Sequence, residues 1–84
     1  MFINKNKDGT NNLCGKTVCA KRKQLRLSQR ELAAKLQLVG LDVDKNAVQR
    51  IESGQRFVTD IELSALATVF ECSVGDLIEI TVFG

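Results

Sequence analysis

One short pattern occurs four times in this chain and constrains its fold more than any other feature. An apolar residue is followed by a helix-capping residue and, after three further positions, by a second apolar residue. The capping side chain can accept a hydrogen bond from a backbone N–H of the first helical turn, while the two apolar residues pack together. The capping positions are Ser28, Asp44, Thr59 and Ser73. The pattern therefore predicts four helix starts.

The spacing of apolar residues agrees with these starts. Behind the first three, apolar residues recur three or four positions apart, as on the buried face of a helix. A further helical segment precedes the first cap. The predicted helices cover residues 15–25, 29–38, 45–53, 60–71 and 74–79. Because 84 residues suffice for only one domain, we expect an all-α, compact five-helix bundle.

The residue types that most enzyme and metal sites need are scarce. The chain has no histidine, the commonest general base, and its three cysteines cannot complete a four-ligand zinc site alone. Cys14, Cys19 and Cys72 are expected to be reduced thiols in or near the core. No apolar stretch is long enough to span a membrane, and the N-terminus has no signal-peptide pattern. We therefore expect a cytoplasmic protein that is not an enzyme and needs no cofactor, metal or small-molecule ligand.

Charge is distributed unevenly along the chain. Residues 1–40 hold nine Lys or Arg and two acidic residues, whereas residues 41–84 hold three and eight. No basic residue follows Arg56. Such a chain has a positive part suited to a polyanion. Solvated helix faces explain the same pattern equally well, so charge alone does not decide the partner.

Five short motifs in the middle of the chain point to one family. In order, they are Gly15-x-x-Val18-x-x-x-Arg22, Leu27-Ser28-Gln29-x-Glu31-Leu32-Ala33, Val48-x-x-Ile51-Glu52-x-Gly54, Leu63-x-x-Leu66-Ala67 and Ser73-x-x-Asp76-Leu77-Ile78. Together they resemble the lambda-repressor-like helix-turn-helix family, the Xre/Cro class of bacterial and phage regulators, over residues 15–78. The resemblance implies a five-helix DNA-binding domain whose third helix enters the major groove of DNA.

The resemblance also implies which residues contact DNA. One lies at the start of the second helix and would hold a phosphate. Four lie on the outer face of the third helix, where they would read base edges, although the lysine among them can also reach a phosphate. Three follow in the next turn, along the DNA backbone. The eight are Gln29, Lys45, Asn46, Gln49, Arg50, Ser53, Gln55 and Arg56.

Other positions matter for architecture. Arg22 and Glu52 fall where some relatives hold an ion pair between the first and third helices. The turn between the second and third helices is about five residues longer than the family pattern, and the extra segment, residues 38–42, is apolar. We expect Leu38 and Leu41 to pack onto the domain. Arg26 stands where the family often has the glycine that closes the first helix.

These observations predict sequence-specific binding of double-stranded DNA by a transcriptional repressor of the Xre/Cro class. It would bind a near-palindromic operator as a homodimer. The expected organisation is a flexible segment at residues 1–12, a helix-turn-helix domain at 13–79, and an extension at 80–84. Ile80 and Val82 in this extension either form the dimer contact or pair with Phe2 and Ile3 of the same chain.

Two alternatives remain open. The first is a protein-interaction module on the same fold, which the apolar turn and the acidic second half favour. The second is the antitoxin of a toxin–antitoxin pair.

Overall fold

The computed structural model describes residues 9–78, and within them the chain forms four α-helices and no strand. The helices are α1 (Gly15–Gln24), α2 (Gln29–Leu38), α3 (Lys45–Glu52) and α4 (Asp60–Phe70). The bounds predicted for α2 are confirmed, and the other three helices end one residue earlier than predicted. No helix in this part of the chain is long and apolar enough to cross a membrane.

The fifth predicted helix, residues 74–79, is not confirmed within the described residues. In its place is a single turn of 3₁₀-helix, Val74–Asp76. Gly75 lies in the middle of this turn, where glycine disfavours a continuing helix. The next residue after the turn, Leu77, is fully buried and closes one side of the core. Residue 79 lies outside the described residues.

The four predicted capping residues all act as caps. Each accepts a hydrogen bond from the backbone N–H three positions later, at 2.8–3.2 Å. At Ser28, Thr59 and Ser73 the acidic residue three positions later also accepts a bond from the N–H of the cap, which completes a capping box. The helix starts are therefore determined locally, by side chains within one turn of each start.

All four α-helices end in the same hydrogen-bonded turn. One residue adopts a left-handed conformation and donates its N–H to the carbonyl three residues before it. The following residue donates its N–H to the carbonyl five residues before it. The left-handed residues are Arg26, Gly40, Gly54 and Glu71, with φ between 55° and 95°. Arg26 thus adopts the conformation for which the family often uses glycine.

The core lies among α1, α2, α3 and α4, with α3 packed against both α1 and α2. Its most deeply buried large side chains are Val18, Leu32, Leu36, Val48, Ile51, Leu66 and Leu77. Cys14 is also buried, and burial raises the pKa of its thiol to about 11. Cys72 packs against the core and Cys19 is half-buried, so the cysteines are core or near-core thiols, and all three are free.

The extra apolar segment packs only in part as expected. Leu41 packs against the core, but Leu38 is 86% exposed, so the prediction for Leu38 is wrong. The reason is the turn at Gly40, which directs the N–H of Leu41 back to the carbonyl of Leu36 and leaves Leu38 on the outer face of α2. Residues 39–44 connect α2 to α3.

Candidate nucleic-acid interface

The outer face of α3 carries the four side chains proposed to read bases. Successive helical residues are rotated by about 100°, so these four positions fall within an arc of about 140°. All four are exposed, whereas Ala47, Val48 and Ile51 on the opposite face are buried. The side chain of Asp44 caps the helix by accepting a hydrogen bond from Ala47 N–H at 2.8 Å. The exposed residues are Lys45, Asn46, Gln49 and Arg50.

The C-terminal end of α3 is fixed by direct contact with the start of α1. A β-carbon added at Gly15 would collide with the backbone carbonyl of Ile51, so the two helix ends touch without an intervening side chain. The side chain of Asn12 joins the same two ends: its Oδ1 accepts from Gly15 N–H at 2.9 Å and its Nδ2 donates to the Ile51 carbonyl at 3.1 Å. These contacts with the start of α1 therefore fix the direction of α3.

Glu52 joins three helices at one carboxylate. It accepts two hydrogen bonds from the Arg22 guanidinium of α1 and one from the Gln29 side chain of α2. Burial of the carboxyl opposes its ionisation, but the hydrogen bonds from Arg22 and Gln29 outweigh this effect and hold its pKa below the ordinary value. The ion pair that the resemblance implied is confirmed.

Gln29 is not simply exposed to solvent at the start of α2. Its Nε2 donates to Glu52 Oε1 at 3.1 Å, and its side chain is half-buried. It is the first residue of α2, directly after the Ser28 cap, where the backbone N–H groups of the helix favour an anion. The structure thus brings the predicted phosphate contact next to the anchored end of α3.

Residues 10–12, here called the N-terminal strap, hold the turn that follows α3. Asn11 donates its backbone N–H to the Gly54 carbonyl at 2.7 Å and its side chain to the Gln55 carbonyl at 2.8 Å. A β-carbon on Gly54, whose φ is +81°, would lie 2.5 Å from a methyl carbon of Thr10. The predicted flexible segment at residues 1–12 is therefore hydrogen-bonded into the domain at its end, while residues 1–8 lie outside the described residues.

Sequence reasoning missed the strap, although one signal for it was present. Asn12 lies three residues before Gly15, the spacing at which an asparagine can accept a hydrogen bond from the first N–H groups of a helix.

In the turn after α3, the Ser53 hydroxyl donates to the Arg50 carbonyl at 3.2 Å, and Gln55 is exposed.

Arg56 has a partner that the sequence did not indicate. Its Nη2 lies 2.7 Å from Glu62 Oε2 on α4. Burial opposes ionisation of Glu62, but hydrogen bonds from Arg56 and from the Thr59 backbone prevail and lower its pKa. Glu62 completes the capping box of α4 with Thr59, and the same carboxylate pairs with Arg56, the predicted DNA-backbone contact.

The Lys and Arg side chains of the described residues lie in α1, α2, α3 and the turns that follow α1 and α3, and residues 57–78 contain none. No cluster of three or more His, Cys, Asp or Glu side chains in the described part of the chain is arranged to hold a metal ion.

Comparison with known proteins identifies the family. The sequence model of the helix-turn-helix family matches residues 20–77, which span α2, α3, α4 and the turns between them. Neither the curated proteins nor the solved structures gave a match. The chain therefore belongs to the lambda-repressor-like (Xre-like) helix-turn-helix family of DNA-binding transcription regulators.

Proposed function

We propose that this protein binds double-stranded DNA sequence-specifically through the outer face of α3 and acts as a repressor of the Xre/Cro class. The observation that carries the proposal is the exposure of four hydrogen-bonding side chains on a helix whose other face is buried. Arg and Lys are suited to guanine, and Asn and Gln to adenine. The anchoring of α3 at Gly15 and Glu52 supports this role, because a recognition helix must be held in a fixed direction.

The remaining predicted residues position the protein on the DNA backbone. Gln29 binds a phosphate at the start of α2, while Ser53 and Gln55 lie along the backbone beside the end of α3. Arg56 also contacts the backbone, but its pairing with Glu62 reduces the charge that it brings to a phosphate. We expect no cofactor and no small-molecule ligand, and we expect the protein to act in the cytoplasm.

A homodimer on a near-palindromic operator completes the proposal. One α3 reads only a few base pairs, and two copies about one helical turn apart supply the affinity and specificity that a single small module lacks. The expected dimer contact at residues 80–84 lies outside the described residues. Sedimentation of the full chain beside a chain truncated after Glu79 tests it: a monomer at tens of micromolar that also binds DNA one to one contradicts the dimer.

Selection of duplexes from a random pool tests the proposal as a whole. The full chain is expected to enrich one short, near-palindromic sequence. The double variant Asn46→Ala and Arg50→Ala is expected to lose this enrichment, whereas a matched control with Lys16→Ala and Lys23→Ala on exposed positions of α1 keeps it. A pool that does not converge with the unmodified chain contradicts sequence-specific binding.

A further inference from the structure

An apolar groove lies between the α2–α3 connection and α4. It is open to solvent and has a volume of about 330 Å³. Its lining, which contains no charged residue, includes Val39, Leu41, Ile61, Ser64, Ala65 and Thr68. None of these residues belongs to α3, so the groove is separate from the proposed DNA-binding face.

Two of the aliphatic side chains that line the groove are exposed to solvent, Ile61 to 72% and Val39 to 44%. Leu38, which precedes Val39 in the chain, is 86% exposed. Leu38 and Val39 belong to the apolar segment by which the turn exceeds the family pattern. Contiguous exposed apolar surface is typical of interaction sites. Of the extra residues, Leu38 and Val39 therefore add exposed apolar surface, while Leu41 packs against the core.

Acidic residues lie closest in sequence to the residues that line the groove. Asp42 directly follows Leu41, and Asp60 directly precedes Ile61. Glu71 follows α4 three positions after Thr68, and all three acidic side chains are exposed. The basic residues nearest in sequence, Lys35 and Lys45, are four positions from Val39 and Leu41, farther along the chain than Asp42 and Asp60, and none of these charged residues lines the groove itself. A partner that matches this surface carries apolar side chains flanked by positive charge.

Neither a second copy of this chain nor its own C-terminal end matches the groove as well as such a partner. A two-fold contact through this groove would bring the same acidic residues of both copies together, and like charges oppose such a contact. The described chain ends at Ile78, which lines a different cavity with Leu63. Leu63 lies on the side of α4 opposite to Ile61 and Ala65, about 160–200° around the helix.

We propose that this groove binds an amphipathic helix of another protein, with aliphatic residues one turn apart and Lys or Arg at its ends. The aliphatic residues enter the groove beside Ile61 and Val39, as in other complexes of a helix in an apolar groove. Asp42 and Asp60 pair with the basic ends. Because α3 stays uncovered, the partner and DNA can bind at the same time, and this interaction does not depend on DNA binding.

Two synthetic helical peptides test the proposal on the full chain labelled with ¹⁵N. Both have leucines at helical spacing, one with lysines at its ends and one with glutamates. The lysine peptide is expected to bind one to one and to shift the amide signals of residues 39–41 and 61–68 rather than those of α3. The glutamate peptide is expected to bind at least about tenfold more weakly, with a difference that shrinks as salt is added.

Variants at exposed positions separate this groove from other apolar surfaces. Ile61→Gln is expected to weaken binding of the lysine peptide about tenfold or more. Asp42→Lys is expected to reduce the preference of the protein for the lysine peptide over the glutamate peptide. Leu25→Gln is the matched control, because Leu25 is 53% exposed and does not line the groove. DNA binding of the Ile61→Gln variant is expected to be unchanged, so failure here is distinguishable from failure of the DNA-binding proposal.

Several results would overturn the proposal. They are the absence of binding by either peptide, equal affinity for both, or shifts confined to α1 and α3. Shifts of the groove amides that follow protein concentration without peptide would assign the groove to a second copy. Shifts of the same amides on removal of residues 79–84 would assign it to the chain's own C-terminal end.

Discussion

The Arg22 guanidinium on α1 binds the Glu52 carboxylate on α3 through two hydrogen bonds, of 2.6 Å from Nε and 3.0 Å from Nη2. The two side chains are only 12% and 6% exposed. Arg22 also donates to the Leu27 carbonyl at 2.8 Å, at the turn between α1 and α2. This pair therefore links the position of α3, the proposed recognition helix, to α1 and to the turn between α1 and α2.

Removal of one partner of this ion pair is expected to lower the stability of the fold. Glu52→Ala leaves the Arg22 charge in a poorly solvated site, and we expect the free energy of unfolding to fall by about 3–5 kcal/mol. Urea unfolding followed by circular dichroism measures it. The double variant Arg22→Met and Glu52→Met is the control, and it should lose less than Glu52→Ala alone because no charge is left without its partner. A loss below about 1 kcal/mol for Glu52→Ala would show that the pair behaves as an exposed one.

The same carboxylate makes stability depend on acidic pH. The pKa of Glu52 is lower in the folded chain than its ordinary value of about 4.3, so its ionised form favours folding. This stabilisation is complete above the ordinary pKa and is lost as the pH falls through the lowered one. Glu62 contributes in the same direction. Unfolding free energies measured from about pH 6 to about pH 3 should fall less steeply for Glu52→Gln than for the unmodified chain, and equal slopes would contradict this assignment.

The starts of the helices could be predicted because they depend on neighbours in sequence. Ser28 and Thr59 each meet their hydrogen-bonding partners within three residues, so the pattern of residue types contains the whole interaction. Pairs that are distant in sequence could not be found this way. Asn12 meets the Arg56 carbonyl 44 residues later, and only packing of α1 against α3 brings them together.

In the candidate site, too, features that depend on sequence neighbours could be predicted and those that depend on distant contacts could not. The exposed and buried faces of α3 follow from helical spacing, and the pairing of Arg22 with Glu52 was reachable only through the family resemblance. The exposure of Leu38 was not predicted, because it depends on the turn at Gly40 that returns Leu41 to the core.

Arg26 offers a stabilising substitution. It adopts φ +58° in the turn after α1, a left-handed conformation that costs a side-chain-bearing residue about 1–2 kcal/mol. Arg26→Gly is therefore expected to unfold at higher temperature than Arg26→Ala. The alanine variant is the matched control because it removes the same exposed side chain but retains the β-carbon. Equal thermal midpoints for the two variants would show that no conformational cost is stored at this position.

Base readout and backbone contacts predict different responses to substitution. Asn46→Ala or Arg50→Ala should lose about 1–3 kcal/mol of binding free energy on the selected duplex and relax discrimination at one base pair. Arg56→Ala should weaken all duplexes alike, and it should also lower stability, because Glu62 loses its partner. Binding curves on the selected duplex and its single-base variants distinguish the two classes. If Asn46 and Arg50 behave like Arg56, the recognition face has been misplaced.

The most direct test of the account is a salt titration of DNA binding with two duplexes, the selected sequence and a scrambled one of the same composition. With about 3–5 phosphates neutralised by each protomer, the affinity for both duplexes should fall steeply as salt increases. The selected duplex should remain the tighter one throughout, because base contacts depend much less on salt than phosphate contacts do. An affinity that hardly changes between low and physiological salt, or that is the same for both duplexes, would contradict sequence-specific DNA binding through α3.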